Sequence, residues 1–322
     1  MNKAHERKAV EVGGVRTEYI EAGQGDSVLL LLHSGLFSQD GVGASAWMWE
    51  QNLARLARDF RVIAPDLLGQ GGTGYPAAAE HYSIDAMVGH VQDLLSVIGV
   101  ERAHLVGHDH GAMVALLLAM RNPALARSCV VVNAAAVAPS GDAVPNLTLA
   151  AAPQPPYSRG SQSWILERQS VNPHHVSEGR FLEAAVEYTS TSRFAQAREH
   201  LRSREMQLQL LRSTNKAKLE VFVHLRERGI HVPTLVLWGT QDPMSSADYV
   251  QQWGTSRDSN SSIAFARAVF NLVQARQPLT RLCLVARAGY MPFREQPKVF
   301  DEIVGAFARS VESTAPQPPN SL

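Results

Sequence analysis

Short apolar runs of strand length, alternating with stretches of helical periodicity, constrain this chain more than any other feature. SVLLLLH (27–33), FRVIAPD (60–66), AHLVG (103–107) and SCVVVNA (128–134) are apolar almost continuously. Such runs suit strands buried on both faces, as a parallel sheet requires. Parallel neighbours need crossover connections, and helical spacing fills the gaps at 47–56, 84–98 and 111–120, the last closed before Asn122–Pro123. Residues 8–22 read as a hairpin turning at Gly13–Gly14. The rhythm stops near residue 138 and resumes at HVPTLVLWG (231–239) and LTRLCLVARAG (279–289), before an amphipathic helix at 297–311. Between them lie Pro153, Pro155 and Pro156 and arginine-rich helical segments without strand-length runs. The expected fold is α/β: a mostly parallel central sheet flanked by helices, with an inserted helical lid. The core is expected over 1–137 and 217–322, the lid over 138–216, and a frayed, proline-rich tail over 312–322.

Composition narrows the partners. Lysine plus arginine and aspartate plus glutamate are 30 each among 322 residues, so no basic face for nucleic acid and no polybasic membrane patch is expected. No run approaches membrane-span length, and the polar start MNKAHERKAVEV has no apolar signal core, which reads as a cytoplasmic protein. A small neutral or modestly charged organic substrate fits better than a polyanion. Cys129 and Cys283 sit in apolar runs and read as buried free thiols.

The chemistry centres on Gly107-His108-Asp109-His110-Gly111, between the strand AHLVG and a helix. A strand, a tight turn flanked by glycines and a helix form a nucleophile elbow. The central residue takes a strained conformation there, and bulk on either side would strike the neighbouring strand or helix. The strain lifts the central side chain above the helix N-terminus, where unpaired N–H groups favour negative charge.

With this elbow, the chain resembles the α/β-hydrolase superfamily over nearly its whole length. The matching pieces are LLLLHSG (28–35), GASAW (43–47), FRVIAPDLLGQGGTGYP (60–76), LVGHDHGAMVA (105–115), VPTLVLWGTQDP (232–243) and AGYMPFREQPKVF (288–300). GASAW and the segment after it most resemble the carbon–carbon bond hydrolases of meta-cleavage products, although the loop between His33 and Gly43 is longer here. The resemblance implies Asp109 at the nucleophile position, Asp242 at the acid position and Tyr290 at the histidine position. It also implies oxyanion donors from the backbone N–H of His110 and of Gly35 or Leu36.

Two of these positions depart from the usual Ser-His-Asp set. An aspartate at the elbow needs no base to attack, which suggests an alkyl-enzyme ester as in haloalkane dehalogenases and epoxide hydrolases. Those families still need histidine to activate water, and tyrosine, with a pKa of about 10, is a poor base. They also carry an aromatic–proline pair where this chain has His33-Ser34-Gly35-Leu36, and dehalogenases often place tryptophan where His110 stands. An aspartate acting as acid or base beside a tyrosine that donates to a developing oxyanion fits the pair better, a division of labour seen in ketosteroid isomerase on another fold. The leading expectation is therefore a cofactor-independent enzyme acting by proton transfer on a hydrophobic, carbonyl- or ring-containing molecule, with carbon–carbon bond formation, cleavage or cyclisation. The alternatives are an aspartyl-ester hydrolase with His110 as substitute base, and a ligand-binding protein on a decayed hydrolase scaffold.

Ser34, Met291, Phe293, Tyr157, Trp164 and Tyr188 are candidate pocket walls, although a helical lid needs such aromatic anchors in any case. His108 is expected to pack beneath the elbow, His33 to be structural, and His174–His175 to be solvated. Adjacent side chains diverge at a sharp turn, so the His-Asp-His string is not expected to hold a metal. The helix-like SIAFARAVFNLVQA after the acid position could extend the lid, cover the core or make a homodimer contact.

Overall fold

A computed structural model describes residues 5–137, 151–244 and 261–314. Its centre is one eight-stranded sheet of β1 (Glu6–Val12), β2 (Val15–Ala22), β3 (Val28–Leu32), β4 (Arg61–Pro65), β5 (Ala103–His108), β6 (Ala126–Val132), β7 (Thr234–Gly239) and β8 (Arg281–Val285). The strand order is β1-β2-β4-β3-β5-β6-β7-β8. The first two strands form the expected hairpin, with Val12 opposite Val15, and β2 pairs antiparallel with β4. All later pairings are parallel.

The continuous apolar runs are explained by the two layers they separate. Leu30, Leu32, Ile63 and Leu105 point into a core shared with α2 (Ile84–Val97), α3 (His110–Arg121) and α8 (Ser261–Gln274). Leu29, Leu31, Val62 and Val106 point the other way, towards α1 (Glu50–Leu56) and α10 (Pro297–Thr314) through Trp49, Leu53, Phe300 and Val304. Alternate residues of one strand thus enter opposite cores. Every residue from Gly111 to Met120 is buried, so α3 is apolar all round, as a helix enclosed between a sheet and other helices must be.

Sequence and structure differ at several edges. Residues 47–56 begin as a 3₁₀ turn, Ala46–Trp49, before α1. The last strand stops at Val285, because β8 is a half-exposed edge and residues 286–289 leave it to carry the loop before Tyr290. The lid contains α4 (Arg159–Arg168), α5 (Phe181–Thr189) and α6 (Ser192–Leu201), with no strand among its described residues. Helix α7 (Arg204–Glu227), capped by the Ser203 side chain accepting from the Met206 N–H, runs unbroken through residue 216, where the lid was expected to end. The proline cluster at 153–156 is described, whereas 138–150, expected in the lid, lie outside the described residues, as do 315–322 of the expected tail. Residues 312–314 form the last turn of α10. Of the three uses considered for residues 262–275, the structure places α8 on the core, packed against β7 and β8. Cys129 is buried, whereas Cys283, expected to be buried, is half-buried on the edge strand; both are free.

Candidate active site

The elbow forms because two glycines allow the chain to approach itself. A Cβ on Gly107 would stand 2.2 Å from the Gly111 carbonyl oxygen, and one on Gly111 would stand 2.3 Å from the Leu32 carbonyl oxygen. Between them Asp109 has φ 49° and ψ −108°, a conformation that costs a residue with a side chain about 1–3 kcal/mol. Asp109 precedes α3, yet its side chain makes no capping bond to the helix. Its Oδ1 instead accepts the Ala136 N–H at 3.0 Å, just beyond β6. The first N–H of α3, on His110, has no acceptor one turn back and is free by position to serve an oxyanion.

Asp109 is the hub of the site. The His110 Nδ1 lies 2.9 Å from Asp109 Oδ2, an ion pair whose alignment falls short of a good hydrogen bond. The Tyr290 hydroxyl donates to the same carboxylate. Burial would raise the Asp109 pKa, but the His110 charge, with the His108 ring and the Ala136 N–H, holds it down at about 2. Burial likewise opposes charge on His110, and Asp109 overrides it, raising the imidazole to about 9. Tyr290 is pushed well above the ordinary phenol value, by burial first and then by the charges of Asp109 and Asp40. At neutral pH the cluster is thus a carboxylate holding an imidazolium and a phenol, both with protons to donate.

Three contacts seat Tyr290. Its N–H donates to the Gln169 carbonyl at 3.1 Å, and its carbonyl accepts from His108 Nε2 at 2.9 Å. The His108 ring packs on the tyrosine ring with centroids 4.4 Å apart. His108 is fully buried, and burial lowers its pKa to about 4, so it supports Tyr290 as a neutral ring. Just before Tyr290, the Gly289 N–H donates to Glu295 Oε1 at 2.8 Å, while Glu295 Oε2 accepts from Val171 and Asn172 in the lid at 2.7 and 3.1 Å. One buried carboxylate of α9 (Pro292–Glu295) therefore ties the tyrosine loop to the lid.

Asp242 accepts from Asn133 Nδ2 at 3.0 Å and from the Met244 N–H at 2.9 Å. Asn133 also donates to the Gly289 carbonyl at 3.2 Å and accepts the Gly239 N–H at 3.1 Å. Asp242 is thus built into the scaffold joining β6, β7 and the Tyr290 loop. His33 is structural: Nε2 accepts the Leu67 N–H at 3.0 Å, and Nδ1 donates to the Ser34 carbonyl at 2.6 Å.

A cleft holding about 380 Å³ of open space, its mouth included, reaches this cluster at Tyr290. Ser34, Gly35, Tyr290 and Met291, all singled out from sequence, line it beside Asp40, Met48, Leu166 and Gln169. Phe293 is absent from the cleft lining; its ring lies tilted against Trp49, centroids 4.2 Å apart, and packs against Phe300 and His108 in the core. Leu36 packs its side chain into the core and can serve only through its backbone. Tyr188 donates to the Gly69 carbonyl at 2.9 Å, and Tyr157 to the Ser38 carbonyl at 2.8 Å, so both hydroxyls anchor lid to core. Trp164 lies under the Arg168 guanidinium at 4.5 Å and is absent from the cleft lining, to which α4 contributes Leu166. His174 is exposed, but His175, expected on a solvated surface, is buried against Ser170 and Arg294.

Asp40 was missed by sequence reading. It lies in the long loop after His33, and nothing in its neighbours marks it as a site residue; only folding brings the loop over the elbow. Gln169 and Asn133 were missed for the same reason, being polar residues without a motif. Among the described residues, no group of three His, Cys, Asp or Glu side chains is placed to hold a metal, and no helix is long and apolar enough to cross a membrane.

Comparison with known proteins agrees with the fold. Residues 29–303 match the profile of the alpha/beta hydrolase family. An uncharacterized protein of Mycobacterium tuberculosis is 27% identical over 320 residues, covering 94% of this chain and 80% of that one. Epoxide hydrolase 4 of Mus musculus is 32% identical over 125 residues, which are 38% of this chain and 33% of its own. Among solved structures, the meta-cleavage product hydrolase CumD of Pseudomonas fluorescens superposes with a TM-score of 0.70 at 21% identity, over 94% of this chain and 98% of its own.

Proposed function

This chain belongs to the alpha/beta hydrolase family, and from that premise we propose that it is a cofactor-independent enzyme whose Asp109–His110–Tyr290 cluster performs acid–base chemistry on a hydrophobic, carbonyl-bearing small molecule. The observation that carries this reading is the shared carboxylate, with His110 Nδ1 at 2.9 Å, the Ala136 N–H at 3.0 Å and the Tyr290 hydroxyl all directed at it. A carboxylate so supplied with donors is a weak base and an encumbered nucleophile. It is well suited to hold its donors in place. When a proton leaves the carbon next to a substrate carbonyl, the electron pair moves to the carbonyl oxygen; the Tyr290 hydroxyl turns from Asp109 to that oxyanion, and the His110 charge lowers its energy. Asp109, first considered as the base, becomes the anchor of the two donors. Formation or cleavage of a carbon–carbon bond, or cyclisation, would follow from collapse of the enolate.

Deuterium exchange into β-tetralone, followed by proton NMR in heavy water, tests the reading. The wild type accelerates loss of the signals beside the carbonyl, and Tyr290→Phe slows it; a wild type no faster than buffer counts against it. An aspartyl-ester hydrolase is the second reading, favoured by an aspartate at the strained elbow and the partial likeness to an epoxide hydrolase. Incubation with styrene oxide in heavy-oxygen water separates the two. Label in the Asp109 peptide after turnover supports the ester; an unlabelled peptide supports the acid–base reading.

A further inference from the structure

The acid–base reading leaves the proton acceptor unassigned, since Asp109 is committed to its donors, and resting on that reading we propose that Asp40 is the general base of the site. Asp40 is reached by an unusual backbone path. Phe37 and Ser38 both take positive φ, 50° and 56°, and Gly41 follows at 79°. The Gln39 N–H closes the turn on the Leu36 carbonyl at 3.0 Å, and Tyr157 of the lid secures the Ser38 carbonyl. Two consecutive left-handed residues with side chains are a costly conformation, kept here where a loop delivers a carboxylate to the cleft.

Placement sets Asp40 apart from Asp109. Asp40 is exposed and lines the cleft beside Ser34, Gly35, Tyr290 and Met291. Asp109 is 7% exposed and absent from that lining. The titratable groups around Asp40 are His110 and Asp109 on the elbow, Tyr290 on the loop after β8 and Tyr157 from the lid. The Leu36 N–H, an expected oxyanion donor, is directed at its carboxylate. The carboxylate that can meet a substrate is therefore Asp40, with the donors of Asp109 nearby.

The electrostatics agree. Although one face of Asp40 is open to the cleft, the protein packed around the rest strips water from its carboxylate and raises its pKa, and the Asp109 charge adds to the rise; His110 and the Leu36 N–H pull it down without cancelling it. Two carboxylates driven in opposite directions divide the labour: the low one stays ionised as an anchor, and the raised one can take and return a proton. In the step itself the C–H bond beside the carbonyl breaks and the proton moves to an Asp40 oxygen. The electron pair becomes the enolate, whose oxygen takes the Tyr290 hydroxyl as that group turns from Asp109, with the His110 charge behind it. Return of the proton to carbon regenerates Asp40, so no other reactant is consumed.

Asp40→Asn and Asp40→Glu, assayed by deuterium exchange into β-tetralone, test the assignment. Asp40→Asn should lower kcat at least about 100-fold with little change in KM, and Asp40→Glu should recover part of it. Exchange by Asp40→Asn at the wild-type rate overturns the proposal. Absence of exchange in the wild type instead counts against the reading of the whole site. In that event carboxyl-carbon NMR of the unliganded protein decides the matter of Asp40: a carboxyl titrating above the usual aspartate range, lost in Asp40→Asn, supports it, and an ordinary or lower titration overturns it.

Discussion

Tyr290 stands where the family resemblance implies a histidine, and a phenol differs from an imidazole in direction as well as pKa. A histidine there could accept a proton from the elbow residue; a buried phenol keeps its proton and has a single hydrogen bond to donate. Its acceptor is an aspartate that is ionised over the whole useful pH range. Removing the hydroxyl in Tyr290→Phe should lower the exchange rate about 100-fold while the protein still melts cooperatively near the wild-type temperature, since the ring packing on His108 is preserved. pH dependence follows from His110. Its folded pKa of about 9 lies above the free value of 6.5, so the imidazolium and the stability it adds are fully present below pH 6.5 and lost as pH rises through 9. Asp109 contributes with the opposite sign, its stabilisation being present above pH 3.8 and lost as pH falls towards 2. Rate against pH should accordingly decline near pH 9, and the alkaline limb should move to lower pH in Asp109→Asn.

Elements hold these residues through close backbone approaches and single buried side chains. Gly111 packs against the end of β3 at a distance no Cβ allows, so Gly111→Ala should destabilise the fold by about 3 kcal/mol or more, measured by urea unfolding. Glu295 receives N–H groups from both the tyrosine loop and the lid. Glu295→Ala leaves those donors unpaired and should cost about 1–3 kcal/mol, with faster proteolysis near residues 169–172 as a local signature. The two arrangements are not equally visible in the order of residues. The glycines of the elbow were legible because a strand and a helix flank them in sequence and only one turn geometry joins the two so closely. Glu295 sits in FREQP, where nothing distinguishes it from a surface acid. Its role depends on lid residues more than a hundred positions away.

Taken whole, the molecule shows why one half of its design can be read from sequence and the other cannot. The sheet and its two helix layers follow from apolar runs such as LLLL and VVV, because burial on both faces leaves few other arrangements. The lid was legible as an interruption of that rhythm, but its attachments were not. Tyr157 and Tyr188, read as candidate pocket walls, spend their hydroxyls on core carbonyls, and a contact of that kind depends on where the core loops end. Buried histidines add a global pH response that sequence also conceals. His108 and His175 titrate near 4 and 3 when folded, and burial keeps both neutral, so the unfolded chain takes up protons first. Their contribution to stability is complete above pH 6.5 and is lost as pH falls towards those values, and the melting temperature of His175→Gln should change less than that of the wild type between pH 7 and 4.

The imidazolium of His110, held by Asp109, is the feature on which the proposed chemistry depends. NMR titration of its ring signals, assigned by their loss in His110→Gln, measures it directly in the unliganded protein. The expected result is a ring protonated at pH 7.5, titrating near 9, and shifted to about 6.5 or below in Asp109→Asn. A ring already neutral at pH 7.5 in the wild type would contradict it.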